Sequence, residues 1–196
     1  MSSSNLRIQP AEITGIMGAI VKRACKKRLG RVPEPLGIYW YNRPVLTSTM
    51  GMGAKAAKWN RCDTSLKVFA HMAVAAKIGC SWCLDYNYFH AFNEHLDLDK
   101  AQQIPRWRDS DAFTPLERDV LEYAEAMSDT PPTVDDVLVE TLRKELGEAA
   151  MVELTAYIAL ANMNSRANVA LGIESEGYAA SCDLRPLAQP SLRSIA

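Results

Sequence analysis

The chain has 196 residues, 48% of them hydrophobic, which is enough for one sizeable core. Its 22 Lys and Arg stand against 23 Asp and Glu, a net charge of −1, which excludes broad electrostatic attraction to nucleic acid or to an anionic membrane. No apolar run approaches the roughly 20 residues needed to span a bilayer. The N-terminal MSSSNLRIQPAEITG lacks a basic region followed by an apolar one, so no secretory signal is read there and the expected location is the cytoplasm.

Alternation of β-branched residues is missing and helical spacing recurs, so the expected fold class is all-α. Residues 11–29 place Ile13, Ile16, Met17, Ile20, Val21 and Ala24 on one stripe, with Gly30 as the stop. The interleaved Lys22, Arg23, Lys26, Lys27, Arg28 and Arg31 read as the solvated face of that helix. Residues 32–43, with Pro33, Pro35 and Gly37, read as a connector anchored by Tyr39, Trp40 and Tyr41. Pro44 suits the first turn of a helix over residues 45–59. Asp63 or Thr64 caps an alanine-rich helix running to Ile78, apolar nearly all round, and Gly79 breaks it. A new helix begins at Cys80 or Ser81 and continues towards Glu94.

Residues 97–103 form a short helix, and residues 105–112 a loop holding Trp107. Thr114, Pro115 and Glu117 supply an N-cap, a first-turn proline and a capping-box acid for a helix to Met127. Thr133 is the expected cap of a helix over residues 134–146 that ends at Gly147. Residues 148–171 are a long apolar helix, with a bend expected near residues 162–165. The tail, with Pro186 and Pro190, is irregular.

Chemistry concentrates in IGCSWCLDYNYFHAF, where Cys80 and Cys83 stand three positions apart; Cys25, Cys62 and Cys182 are scattered. In a regular helix such a pair has Cβ atoms about 5–6 Å apart, whereas a disulfide needs roughly 3.5–4.5 Å. The first turn must tighten, or Cys80 must stand outside it, and Gly79 permits such a start. A helix N-terminus also favours the thiolate, the reactive form. Three readings follow: a reversible dithiol, half of a metal site, or two packed thiols. A zinc site would need further Cys or His ligands at regular spacing, and Cys62 and His90 do not supply them.

GCSWCLDYN, followed by FTPLERDVLEYAEAMSDTPPTVDDVLVETLRKELGEAAMVELTAYIALANMNSRANVALGI, resembles the carboxymuconolactone decarboxylase-like superfamily, which includes the alkylhydroperoxidase AhpD. The resemblance covers roughly residues 45–172. It implies an AhpD-like helical bundle, a homo-oligomer, and reduction of peroxides by the cysteine pair. Cys83 is then the attacking sulfur, while Cys80 resolves and faces the reductant; a thioredoxin-like order would reverse these roles. AhpD-like enzymes carry a relay glutamate twelve residues before the first cysteine and a histidine four after the second. Here those positions hold Val68 and Asn87, and Trp82 precedes the second cysteine. Neither Val nor Asn moves a proton. His71, three positions after Val68, is the candidate base, with a satisfied core histidine as the alternative. Asp85 is expected to point away from the site, exposed or accepting a local hydrogen bond, Tyr86 and Tyr88 to pack or line a pocket, and Arg166 to pair with Glu153 or Glu125.

The reading is therefore one domain over residues 1–196: an N-terminal helix and connector (1–44), the family core (45–172) and an irregular tail (173–196). Its expected activity is thiol-dependent, peroxidase-like oxidoreduction through Cys80 and Cys83, with His71 as a further catalytic candidate. Expected partners are a peroxide or other small oxidant, a thiol reductant and further copies of the chain. No cofactor, metal, nucleic acid or membrane is expected. The rival reading is a non-catalytic helical assembly or small-molecule-binding protein on the same scaffold. The oligomer is expected because helices 64–77 and 148–171 look apolar over more than one face, with Tyr39, Trp40 and Tyr41 adding interface area.

Overall fold

A computed structural model describes residues 5–189. Residues 1–4, part of the N-terminal stretch read as having no signal, and residues 190–196, including Pro190, lie outside the described residues. Among the described residues the fold is all-α, without strands. The helices in chain order are α1 (Gly15–Leu29), α2 (Glu34–Tyr39), α3 (Arg43–Ala56), α4 (Thr64–Ile78), α5 (Ser81–Asn93), α6 (Leu98–Gln103), α7 (Pro115–Ala126), α8 (Asp136–Leu146) and α9 (Glu148–Leu171). Short 3-10 turns occupy Ile104–Asp109 and Ala180–Cys182. No helix among the described residues is long and apolar enough to cross a membrane.

Local capping chemistry sets most boundaries. The Asp63 carboxylate accepts from Ser65 N at 2.7 Å and starts α4. Asp97 accepts from Lys100 N at 3.0 Å and starts α6. Thr114 and Glu117 close the expected capping box, with Thr114 N donating to Glu117 at 2.7 Å and Glu117 N to Thr114 at 3.2 Å. Four expectations fail locally. The supposed connector contains α2, because Pro35 sits in a first turn, where its missing N–H costs nothing. Residues 104–109 wind as a 3-10 turn rather than a loop. Asp135, not Thr133, caps α8: its carboxylate takes Val137 N and Leu138 N, while the Thr133 hydroxyl is committed to Asp129 at 2.6 Å. α9 runs unbroken through residues 162–165.

α4 is the centre of the main core. Val68, Phe69, Ala70, Met72, Ala73 and Val74 are essentially inaccessible. Their neighbours include Val120, Leu121 and Ala124 of α7, Leu142 of α8, and Leu154, Ile158 and Ala161 of α9. Each fully buried Leu or Ile contributes about 1.5–3 kcal/mol. α4 is thus covered within the chain, and its apolar surface gives no reason for an oligomer.

A second cluster joins α1, α2 and α3 through Ile13, Leu36, Trp40 and Leu46, with Val21, Cys25 and Tyr39 packed against it. The inner face of α1 is Gly18, Val21, Cys25 and Leu29. Of the expected stripe, Ile13 and Val21 face inward, whereas Ile16 is 84% and Ile20 64% exposed, and Met17 is exposed too. Of the connector aromatics Trp40 is buried, Tyr39 half-buried and Tyr41 exposed. The N-terminal segment crosses the end of α9, where Arg7 N donates to Leu171 O at 3.1 Å. Gly172 makes this crossing fit: it has φ +71°, and a Cβ there would lie 2.1 Å from Asn5 O.

Among the described residues, one ion pair is buried at both ends. Lys67 Nζ of α4 donates to Glu153 Oε1 of α9 at 2.7 Å and to Trp59 O at 2.6 Å. Glu153 also accepts from Arg61 N and Cys62 N at 2.8 and 3.2 Å. Burial pushes this carboxyl up, and Lys67 with the two backbone donors outweighs it and holds the group below its ordinary value. Glu125 is taken as well, by Trp107 Nε1 and Arg108. Arg166 therefore pairs with neither expected carboxylate; it donates to Ser128 O and Thr130 Oγ1.

Candidate active site

The site is built at the junction of α4 and α5. Gly79 ends α4 in the left-handed region, φ +82°. Its N–H and that of Cys80 both donate to Ala75 O at 2.9 Å. Cys80 then stands just outside α5 as its N-cap, and its sulfur accepts from Cys83 N at 3.2 Å. A thiol occupies the place where Ser or Asp usually satisfies a first-turn N–H. Both cysteines are free thiols, 1% and 2% exposed. Cys80, expected to face a reductant, is as buried as Cys83.

Four side chains act on the Cys83 sulfur. Asn168 Nδ2, from α9, donates to it at 3.4 Å. The Cys80 thiol is the largest influence and favours the Cys83 thiolate by hydrogen bonding to it. Burial opposes this, while His71 of α4 and Ser165 of α9 favour the charge. The balance brings Cys83 down from 9.0 to about 5. Cys80 moves the other way, because its proton is held in the bond to Cys83 and burial and the Cys83 charge oppose a second ionisation. The pair thus holds one proton on Cys80 and one negative charge on Cys83.

His71 Nε2 and Ser165 Oγ share a second property. Among the described residues they are the buried side-chain N or O atoms with no hydrogen-bond partner. Neither reaches hydrogen-bond geometry, yet both lie near enough to Cys83 to favour its thiolate. The His71 ring sits edge-on to Tyr157, centroids 6.0 Å apart. Val68 packs in the main core, and Asn87 Nδ2 donates to Cys83 O at 2.7 Å, so it binds the backbone rather than the sulfur. His90 does not reach the cysteines; it stacks on Tyr86 and lies 3.9 Å from Glu94.

Asp85 corrects another expectation. It is buried and grips the C-terminal segment, accepting from Ser175 Oγ and Tyr178 N at 2.8 Å and from Ala179 N at 2.9 Å. Ser175 N donates to Ser81 Oγ, and Trp82 Nε1 to Glu176 Oε2 at 2.7 Å. Tyr86 packs between Trp82, stacked at 5.0 Å, and Tyr178. Tyr88 joins the main core. Residues 175–179 thus form a strap over the first turns of α5. Beside it a cleft of about 380 Å³ opens, lined by Arg7, Gly79, Ser81, Val169, Gly172 and Ile173 among others. No three His, Cys, Asp or Glu side chains gather as a metal site among the described residues.

The structure places Cys80 and His71 where both act on Cys83. It adds Ser165 and Asn168, which lie in NMNSRANVALGI at a spacing that puts both on one helix face.

The arrangement defines an all-α protein with a buried cysteine pair at a helix N-terminus. Residues 44–126 match the model of the carboxymuconolactone decarboxylase family. The protein YnjA of Escherichia coli is 34% identical over 155 residues, 78% of this chain and 84% of YnjA. The chain belongs to the carboxymuconolactone decarboxylase family. Its fold is similar to the debrominase Bmp8 in complex with 2,3,4-tribromopyrrole, with TM-score 0.76 and 22% identity over 93% of this chain and 98% of that one. It is also similar to a peroxidase-related protein from Silicibacter sp. TM1040, with TM-score 0.75 and 17% identity over 87% and 91% of the two chains. An alkylhydroperoxidase AhpD core protein from Ralstonia eutropha JMP134 gives TM-score 0.72 and 15% identity over 87% and 94%.

Proposed function

We propose that the protein is a thiol-dependent oxidoreductase that reduces a small peroxide through Cys83 and Cys80. The observation that carries this reading is the convergence of Cys80, Asn168, His71 and Ser165 on one buried sulfur, which favours its thiolate. The Cys83 thiolate attacks one peroxide oxygen; an S–O bond forms, the O–O bond breaks, and the departing alkoxide takes a proton from His71 Nε2. Cys83 is then a sulfenic acid. Cys80 gives up its proton and attacks that sulfur, an S–S bond forms, and the hydroxide leaves as water. A dithiol reductant returns two electrons and two protons and becomes a disulfide itself. The sum is one peroxide and one dithiol converted to an alcohol, a water and a disulfide. Similarity of fold to a debrominase makes brominated pyrroles a second oxidant class to assay.

Mixing the reduced protein with hydrogen peroxide or tert-butyl hydroperoxide tests the reading. Two thiols are consumed per peroxide, and mass spectrometry finds one peptide carrying a Cys80–Cys83 disulfide. Both thiols remaining alkylatable after oxidant treatment of the folded protein overturns the reading in favour of a non-catalytic scaffold.

We propose further that the protein works as a homo-oligomer. Support comes from exposed apolar side chains on the N-terminal helices: Ile16, Met17 and Ile20 of α1, and Val45, Met50 and Met52 of α3.

A further inference from the structure

Ser165 is fully buried in α9, and its hydroxyl has no hydrogen-bond partner. Such a hydroxyl inside a helix ordinarily donates to the carbonyl four residues back. Other residues of this chain do so: Thr155 to Met151 O at 2.8 Å in the same helix, Ser128 to Ala124 O at 2.7 Å, and Thr141 to Val137 O at 2.9 Å. Ser165 does not, and its proton is uncommitted. One turn further along α9, Asn168 already donates to Cys83 Sγ. Residues three apart share a helix face, and Ser165 is among the groups that favour the Cys83 thiolate.

We propose that Ser165 is a catalytic residue: when Cys83 ionises, its free hydroxyl turns to donate to the Cys83 sulfur and, with Asn168, forms a two-donor cradle for the negative charge there. The inference rests on the reading of Cys83 as the nucleophile. Val68 and Asn87 move no proton, and neutral donors from α9 favour the thiolate directly. The cradle acts on the ground state. It increases the thiolate fraction at low pH and, by holding charge on the sulfur, lowers the intrinsic nucleophilicity of that thiolate. As the S–O bond forms and charge moves to the departing oxygen, the two donors are released.

A loss of the donor therefore has a signature that a packing defect lacks. Ser165→Ala removes one oxygen and leaves a strong helix former, and Asn168→Ala is the second variant. Ultraviolet thiolate absorbance, taken as the difference from Cys83→Ser, gives the ionisation midpoint; iodoacetamide labelling gives the rate. In Ser165→Ala the midpoint rises by about one pH unit, a tenfold change in the ionisation equilibrium. The labelling plateau above both midpoints rises roughly threefold, following the dependence of thiolate reactivity on pKa. The two rate profiles cross, and the Ser165→Ala/Asn168→Ala double variant moves the midpoint further. An unmoved midpoint in Ser165→Ala, with wild type still consuming peroxide, overturns the cradle and leaves the proposed function standing. A wild-type Cys83 that ionises like an ordinary thiol and ignores peroxide overturns both.

Discussion

Asn168 and Cys83 are 85 positions apart in the chain and 3.4 Å apart at Nδ2 and Sγ. The contact joins the last turn of α9 to the first turn of α5, so the Cys83 sulfur is held by two elements with no local sequence connection.

The first prediction concerns pH. Peroxide consumption rises as pH passes about 5 and is flat towards neutrality, because Cys83 is already ionised there. A rise confined to the region near pH 9 would show an ordinary thiol. Cys83→Ser abolishes consumption, and Cys80→Ser leaves a sulfenic acid that dimedone traps. Stability follows the same titration. Cys83 is depressed on folding, so its contribution is full above 9 and is lost as pH falls through about 5. Cys80 is raised, so its contribution is full below 9 and is lost as pH rises beyond. Relative to a Cys80→Ser/Cys83→Ser double variant, the urea midpoint of wild type climbs from pH 5 towards 9.

His71→Asn should keep the fold and slow the peroxide reaction by about 10²-fold or more, the usual size of acid–base assistance. Installing the relay acid by Val68→Glu does not compensate, because Val68 is 1% exposed in the main core. A glutamate there is a buried carboxyl without a partner, and the melting temperature falls. An unchanged rate in His71→Asn would remove the histidine from the reaction.

Lys67→Met leaves Glu153 buried beside only its two backbone donors. The expected loss is about 3–5 kcal/mol, measured by urea denaturation. Glu153→Gln in the Lys67→Met background recovers part of it, because the amide is uncharged and its oxygen still accepts from the backbone. Equal stability of Lys67→Met and wild type would show the pair to be energetically neutral.

Assembly is read by light scattering of dilute protein. The expected mass is a multiple of 21.7 kDa. Ile16→Asp with Ile20→Asp reduces it, because both side chains lie on the exposed flank of α1. A mass of one chain at every concentration would leave that flank simply wet.

Legibility in the sequence follows the range of the interaction. Thr114 with Glu117, Asp63 and Asp97 act within three residues, and their helix starts are read directly from spacing. Cys80 and Gly79 belong to the same class, which is why the cysteine turn is recognisable. Asp135 displaced Thr133 because Thr133 had a second suitor, Asp129, across a turn with two prolines. The partners of Asp85 and Arg166 lie 90 and 38 positions away. Nothing local marks them. Ser165 and Asn168 fall between: their spacing puts them on one face, but only the packing of α9 against α5 says that the face meets Cys83. The rotation of α1 was hidden for a similar reason. Its stripe admits two inner faces, and contact with α2 and α3 selects the one through Gly18, Val21 and Cys25.

Asp85 lies two residues beyond Cys83 and holds three groups of the strap. The turn that must tighten for a Cys80–Cys83 disulfide is therefore the turn to which the C-terminal segment is tied. Any difference in strap stability between the dithiol and disulfide forms is, by linkage, a difference in the reduction potential of the pair, about 30 mV for each 1.4 kcal/mol. If the pair cycles as proposed, a ligand or partner that lifts residues 175–179 in one form more readily than in the other resets the voltage of that cycle without touching either sulfur.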